Sequence, residues 1–256
     1  MKKIRVGLWG FGRTGSVVAK EFFDDKSFEI QWVVRKTKSV KKQYASHSFG
    51  CEYDAIPIFS EQDINAEFFE NNEVDIIIDF SSFDGYKGYK AAAERGTRII
   101  SAISEYKEED LYQLKRYSEK TAVLYSPNIT IGINFLLIAA QIFQKIAPYA
   151  DIEIVEEHFR EKKEVSGTAL KIANALGLKS ERVNSVRVGG IVGCHHIIFG
   201  LQNQTIRLVH ESINKAAFGR GAVFAAKWLI NKTKGFYSME EIITEMIMEN
   251  LPVVER

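Results

Sequence analysis

The sequence predicts an α/β chain carrying a second, α+β unit. Strand-like apolar runs alternate with helical patterns over about the first 125 residues, as in a doubly wound parallel sheet. After Asn128 the pattern changes to one long apolar helix followed by alternating runs on short loops, which reads as a mostly antiparallel sheet. With 46% hydrophobic residues in 256, the chain has material for a sizeable core.

Residues 3–9 read as a buried strand and 13–24 as a helix. Phe28 to Val34 and Val74 to Phe80 are further apolar runs, and Arg98 to Ile100 and Ala122 to Tyr125 are shorter ones. Helical patterns at 61–71, 85–96 and 107–119 separate them. The long helix covers Gly132 to Ala147, and a strand at 151–157 follows. The runs 185–191, 195–201 and 204–210 look antiparallel. Helical patterns at Phe218 to Asn231 and at 239–249 close the chain. The expected division is 1–127 with 218–256 as a dinucleotide-binding domain, and 128–217 as a substrate-binding and oligomerisation domain.

Charge excludes some functions. Lys plus Arg (34) nearly balance Asp plus Glu (33), so no strong field favours nucleic acid or an anionic membrane. Cys51 and Cys194 are far apart in sequence and suggest neither a disulfide nor a metal framework, which fits a reducing cytoplasm. The apolar start, Ile4 to Trp9, is too short for a signal peptide or a membrane span.

Gly10-Phe11-Gly12-Arg13-Thr14-Gly15 matches GxGxxG between a strand and a helix, the signature of a Rossmann dinucleotide site. Gly10 suits the tight turn, Gly12 the approach of a pyrophosphate, and Gly15 close helix–strand packing; the helix N-terminus offers N–H groups to phosphates. The plainer alternative is a glycine-rich turn without a ligand. The second strand then runs into Arg35, Lys36 and Lys38, where an NAD site carries an acid. Cations there suit the 2′-phosphate of NADPH, with NADH as the other cofactor admitted. The alternative is a solvated basic loop.

The second signal is Glu156-Glu157-His158-Phe159-Arg160-Glu161-Lys162, followed by Ser166-Gly167-Thr168-Ala169-Leu170. An imidazole ends a strand, a lysine follows four residues later, and Ser166 reads as the N-cap of a helix. Imidazole titrates near neutral pH and suits proton transfer. Lys162 and the N–H groups of Gly167 and Thr168 suit a substrate carboxylate. No second histidine follows at HExxH spacing, so zinc is not expected in this loop, and no metal site is expected elsewhere.

These residues resemble the dihydrodipicolinate reductase family of lysine and diaminopimelate synthesis over nearly the whole length. The family's loop, E-x-H-H-x-x-K-x-D-x-P-S-G-T-A, is similar to residues 156–169. Asp79-Phe80-Ser81 resembles D-F-T, and residues 128–134 resemble N-F-S-x-G-x-N. Residues 187–195 resemble R-x-G-x-x-x-G-x-H, and Phe218–Ala222, Lys227–Leu229 and Gly235–Met239 resemble the closing helix. The resemblance implies His158 as proton donor, Lys162 as second donor and anchor, and Ser166, Gly167 and Thr168 at a substrate carboxylate. It implies a nicotinamide end near Phe80, Ser101-Ala102-Ile103 and Pro127-Asn128-Ile129, and a homotetramer. Departures concentrate in the pocket. Phe159 replaces the second histidine, one residue and the proline before Ser166 are missing, Glu164 replaces Asp, Cys194 replaces an acid, and Lys215 replaces an arginine. Phe159 adds an apolar wall to the substrate site. A paralogue acting on another imino or amino acid, and a non-catalytic NADP-binding sensor, remain as alternative readings.

His195 and His196 are adjacent on a strand and face opposite ways, so they do not form a pair. His195 and His210 read as packing residues, residues 135–143 as core, and the cysteines as plain core or pocket residues.

Overall fold

A computed structural model describes residues 2–37 and 43–251. Lys38, read above as a third cation of the cofactor corner, lies outside the described residues. Two compact units make up the chain: the first takes the residues up to Ile129 and Phe218–Ile242, the second Thr130–Ala217 and the residues from Ile243. The sequence reading kept 218–256 together with the first unit; this division instead falls after Ile242. No helix among the described residues is long and apolar enough to cross a membrane.

The first unit is a wholly parallel sheet. Its elements are β1 (Ile4–Trp9), α1 (Gly15–Asp24), β2 (Phe28–Arg35), β3 (Ile58–Ser60), α2 (Ala66–Asn71), β4 (Ile76–Asp79), α3 (Lys90–Glu94), β5 (Arg98–Ser101), α4 (Glu108–Tyr117) and β6 (Ala122–Tyr125). The strand order is β11-β6-β5-β4-β1-β2-β3, with β11 supplied by Gly235–Tyr237 near the end of the chain. The order reverses at β1, which places the Gly10 turn at the switch point where such sheets take their ligands.

The central strands are apolar on both faces: Ile76, Ile77, Ile78, Ile99 and Ile100 are fully buried, as expected where helices cover a parallel sheet on both sides. Trp9, Trp32, Phe68, Phe69, Tyr89 and Tyr117 fill one side of it. The helix expected at 61–71 begins instead as a 3₁₀ turn, Glu61–Asp63, capped by Ser60, and α2 starts after the Asn65 cap. Two strands were not anticipated. β3 and β11 have three residues each, too short for an alternation signal, and the sheet supplies their partners. Gly235–Tyr237, read as part of a closing helix, is therefore an edge strand paired with β6.

The second unit holds α5 (Ile131–Ile146), β7 (Asp151–His158), α6 (Gly167–Ala175), β8 (Val183–Arg187), β9 (Cys194–Leu201) and β10 (Gln204–Glu211). α7 (Ala216–Leu229) and α8 (Met239–Glu249) follow. The sheet order is β10-β9-β7-β8. β10–β9 and β9–β7 pair antiparallel, as the alternating runs implied. The run read as an antiparallel strand at 185–191 is corrected: β8 ends at Arg187 and pairs parallel with β7. The reason is α6, which carries the chain back across the sheet, and a helical crossover returns a strand in the same direction. Ile133, Leu136 and Ala140 of α5 and Ala169, Ile172 and Ala173 of α6 cover one sheet face, packing on Ile152, Ile154, Ile197 and Phe199.

Candidate active site

The cofactor corner is built at the carboxyl ends of β1, β2 and β4. Gly10 has φ +96°, a left-handed conformation that favours glycine, and its N–H donates to the Val34 carbonyl at 2.9 Å. A Cβ on Gly10 would strike the Phe80–Ser81 backbone, and one on Gly15 would lie 1.7 Å from the Gly10 oxygen. A Cβ on Gly12 would meet nothing within 4 Å, so its backbone stands open. Gly10, Phe11, Gly12, Arg35, Lys36, Thr37, Glu61, Phe80, Ser81 and Ser82 line a cavity of about 230 Å³. Glycine turn and basic pair thus share one cavity, which suits the phosphates of a dinucleotide.

Arg13, Thr14 and Gly15 lead from the turn into α1 and do not line this cavity; Arg13 is exposed. Ser101 ends β5 and Ala102 and Ile103 follow it, with the Ala102 N–H on the Asp79 carbonyl at 3.0 Å. Pro127, Asn128 and Ile129 follow β6, where the Ser126 hydroxyl donates to the Asn128 carbonyl at 2.8 Å. These segments stand along the carboxyl edge of the same sheet, outside the cavity.

Two features of the corner were not read from sequence. Glu61 lines the cavity although the end of β2 itself carries no acid; β3 brings it in beside Arg35, whose strand partner is Ser60. Burial, and then Asp84, push the Glu61 carboxyl up, while Lys36 draws it down. Beneath the turn, Asp79 is fully buried and accepts from the Ser81 hydroxyl at 2.6 Å, the Ser81 N–H at 2.9 Å and the Tyr89 hydroxyl at 2.8 Å. Burial dominates and raises its pKa to about 6, against the pull of those donors.

In the second unit the inward residues of β7 meet β8. His158 is 8% exposed and Glu156 is fully buried, two positions apart and so on the same face. His158 Nδ1 lies 2.5 Å from a Glu156 carboxylate oxygen. Arg187, opposite His158 in the β7–β8 register, grips Glu156 with both terminal nitrogens at 2.6 and 2.8 Å. The Ser185 hydroxyl and the Ser166 N–H complete the acceptor sites at 2.5 and 3.2 Å. Burial alone would raise the Glu156 pKa, but Arg187, Ser185, His158 and Ser166 outweigh it and hold the carboxyl at about 2. Glu156 is therefore a fixed anion that orients the imidazole by its Nδ1 and leaves Nε2 turned away from the carboxylate. Nε2 faces Gly193, where a Cβ would come within 3.0 Å.

The loop is tied to this pair. Arg187 Nε donates to the Lys162 carbonyl and another of its nitrogens to the Glu164 carbonyl, both at 2.9 Å. Among the described residues no hydrogen bond or ion pair engages the Lys162 ammonium. Ser166 caps α6 by accepting from the Ala169 N–H at 3.4 Å and meets His195 Nε2 at 2.9 Å. Gly167 is exposed at the first turn, Thr168 is half-buried beside it, and Phe159 is 41% exposed just after His158. His195, expected to be a packing residue, stands edge-on to His158 with ring centres 5.4 Å apart. Burial first, and then the His158 and His210 rings, lower its pKa to about 4, so it is neutral at physiological pH.

Sequence alone assigns no role at the site to Glu156, Ser185, Arg187, Gly193 or His195. The i, i+2 spacing of Glu156 and His158 was an available signal, but Arg187 needs the parallel register of β8, which the antiparallel reading hid. Chemically, the cluster offers an oriented imidazole and a capped helix N-terminus, with a lysine four residues past the imidazole in the same loop. That set can protonate and anchor a small carboxylate-bearing substrate.

The chain matches the family models described as Dihydrodipicolinate reductase, N-terminus, over residues 4–129, and Dihydrodipicolinate reductase, C-terminus, over residues 129–243. It is 35% identical over 181 residues to the 4-hydroxy-tetrahydrodipicolinate reductase of Thermosipho africanus, covering 70% of this chain and 83% of that relative. With the enzyme of that name from Caldanaerobacter subterraneus it shares 31% identity over 255 residues, 91% of this chain and 94% of the relative. In fold it is similar to the dipicolinate-bound dihydrodipicolinate reductase of Paenisporosarcina sp. TG-14, with TM-score 0.75 and 22% identity, over 94% of this chain and all of that one.

Proposed function

This chain belongs to the dihydrodipicolinate reductase family, and from that premise we propose that it reduces the cyclic imine 4-hydroxy-tetrahydrodipicolinate with NADPH in preference to NADH. The family is one of NAD(P)H-dependent oxidoreductases of lysine and diaminopimelate synthesis. The preference for NADPH rests on Arg35 and Lys36 lining the same cavity as Gly10 and Gly12, against the single acid Glu61. The open backbone at Gly12 and the packing of Gly10 on Phe80–Ser81 fit a pyrophosphate at the turn.

When bound, the nicotinamide cofactor supplies the hydride, and the protein supplies the proton and the charge that accompany it. His158 delivers the proton from Nε2. As it does so, its remaining Nδ1–H stays on the ionised Glu156, which keeps the ring oriented. Lys162 and the first-turn N–H groups of Gly167 and Thr168 hold a carboxylate of the ring. Phe159 walls the pocket on an apolar side. Ser166 joins the two halves of this arrangement, since its N–H binds Glu156 and its hydroxyl caps α6. A cytoplasmic homotetramer is the assembly and location we propose with this activity.

The observation that carries the reading is the 2.5 Å contact of His158 with a carboxylate held at about pKa 2. The test is oxidation of NADPH and NADH with freshly generated 4-hydroxy-tetrahydrodipicolinate. Turnover with the higher kcat/KM for NADPH supports it, and cofactor binding without turnover overturns it.

A further inference from the structure

On the sheet face opposite His158, the outward residues of β7 and β9 bring together Glu157, Cys194 and His196. Cys194 is the direct antiparallel partner of Glu157, and His196 lies two residues further along β9, on the same face. The Cys194 sulfur is 3.3 Å from His196 Nε2, and that nitrogen is 3.1 Å from a Glu157 carboxylate oxygen. All three ligand atoms lie within 4.8 Å of one another. We propose that Glu157, Cys194 and His196 bind a zinc-class divalent cation that staples β7 to β9, with water in the fourth position.

The spacing fits the chemistry. Zinc bonds of about 2.0–2.3 Å at tetrahedral angles put sulfur about 3.6 Å from nitrogen, and nitrogen about 3.3 Å from oxygen. The two observed separations, 3.3 and 3.1 Å, are within a few tenths of an ångström of these. A thiolate with an imidazole selects zinc or cobalt over magnesium or calcium, which prefer oxygen ligands alone. Charge favours a cation as well. Glu211 on β10 is the other cross-strand partner of Cys194, so the sulfur has an acidic residue opposite it on each neighbouring strand. The thiol proton leaves when the cation binds, and the same two carboxylates offset the incoming charge. Cys194 is buried, whereas Glu157 and His196 are half-buried, so the site keeps an opening to solvent.

The test is a Co²⁺ titration of the chelator-treated full chain, freed of any histidine tag. The expected result is a near-ultraviolet thiolate-to-cobalt charge-transfer band that zinc abolishes by competition and magnesium does not. Cys194→Ser should remove the band while Cys51→Ser keeps it, and His196→Gln and Glu157→Gln should each weaken binding at least about tenfold. Zinc should also raise the melting temperature of the unmodified chain and not that of Cys194→Ser. A missing band in the unmodified chain overturns the proposal, whatever the variants do. So does a band that survives Cys194→Ser, or an affinity that neither the His196 nor the Glu157 variant moves.

Discussion

His158 and Glu156 form the central relationship of the second unit: Nδ1 of the imidazole rests 2.5 Å from a carboxylate that both terminal nitrogens of Arg187 clamp. The carboxylate fixes which nitrogen is free, and the clamp fixes the carboxylate.

The first prediction concerns that pair. His158→Ala should lower kcat by about 10²–10⁴-fold, the usual contribution of a general acid, with NADPH affinity retained. Glu156→Gln should lower kcat less. It should also destabilise the fold, because the half-buried Arg187 loses its anionic partner and a neutral amide replaces the buried carboxylate. Steady-state kinetics and urea unfolding check both; a His158→Ala enzyme with unchanged kcat removes this residue from the mechanism.

The second concerns the space around Nε2. A methyl at Gly193 would sit 3.0 Å from it, so Gly193→Ala should displace the ring. We expect kcat to fall by about 10-fold to 10²-fold, in keeping with the cost of a misplaced reacting group, and the Kd for NADPH to stay unchanged. Equal kcat in the variant would show that the ring has room to move.

Cofactor choice gives the third. Replacing Arg35 and Lys36 by Ser should weaken NADPH by about 10-fold to 100-fold, the worth of charged hydrogen bonds, and NADH far less. Glu61→Gln should act the other way and strengthen NADPH. Kd values from fluorescence titration decide, and an equal loss for both cofactors excludes a 2′-phosphate contact.

The fourth tests the altered wall of the substrate site. Phe159 offers no hydrogen bond, so pyridine-2,6-dicarboxylate should inhibit weakly. Phe159→His should tighten the inhibition constant by about fivefold to tenfold, near 1 kcal/mol. Tight inhibition of the native enzyme would refute the idea of a changed pocket.

The fifth is a pH effect. His195 has a folded pKa of about 4 against an ordinary 6.5. Between these values the unfolded chain binds the extra proton, so stability from this group is complete above about pH 6.5 and is lost as pH falls toward 4. The full change is about 3 kcal/mol for a shift of this size. Asp79, raised to about 6, acts oppositely over a similar window: its folded form binds the proton first, so its contribution is lost as pH rises. The observable is therefore a difference. His195→Gln should lose less stability than the native chain between about pH 7 and pH 4.5, and parallel curves would contradict the assignment.

Much of the scaffold was legible in the sequence because its signals are local. The Gly10 turn is set by conformations only glycine adopts easily, and the buried strands by apolar runs longer than the noise of the pattern. The cap at Ser166 and the inward face shared by Ile152, Ile154 and His158 follow from spacing alone. The short edge strands β3 and β11 were not legible, since three residues carry no period and only a neighbouring strand makes them strands.

By itself, the sequence determined a Rossmann sheet with a glycine turn, an α+β unit, and a histidine, a lysine and a helix start within one loop. Tertiary structure decided the partners. Register places Arg187 on Glu156, β3 carries Glu61 into the cofactor cavity, and β9 sets His195 beside His158 and Cys194 beside Glu157. The physical reason is that a side chain's type and local spacing are written along the chain, whereas the charge or hydrogen-bond partner that sets its protonation and orientation comes from a strand tens of residues away.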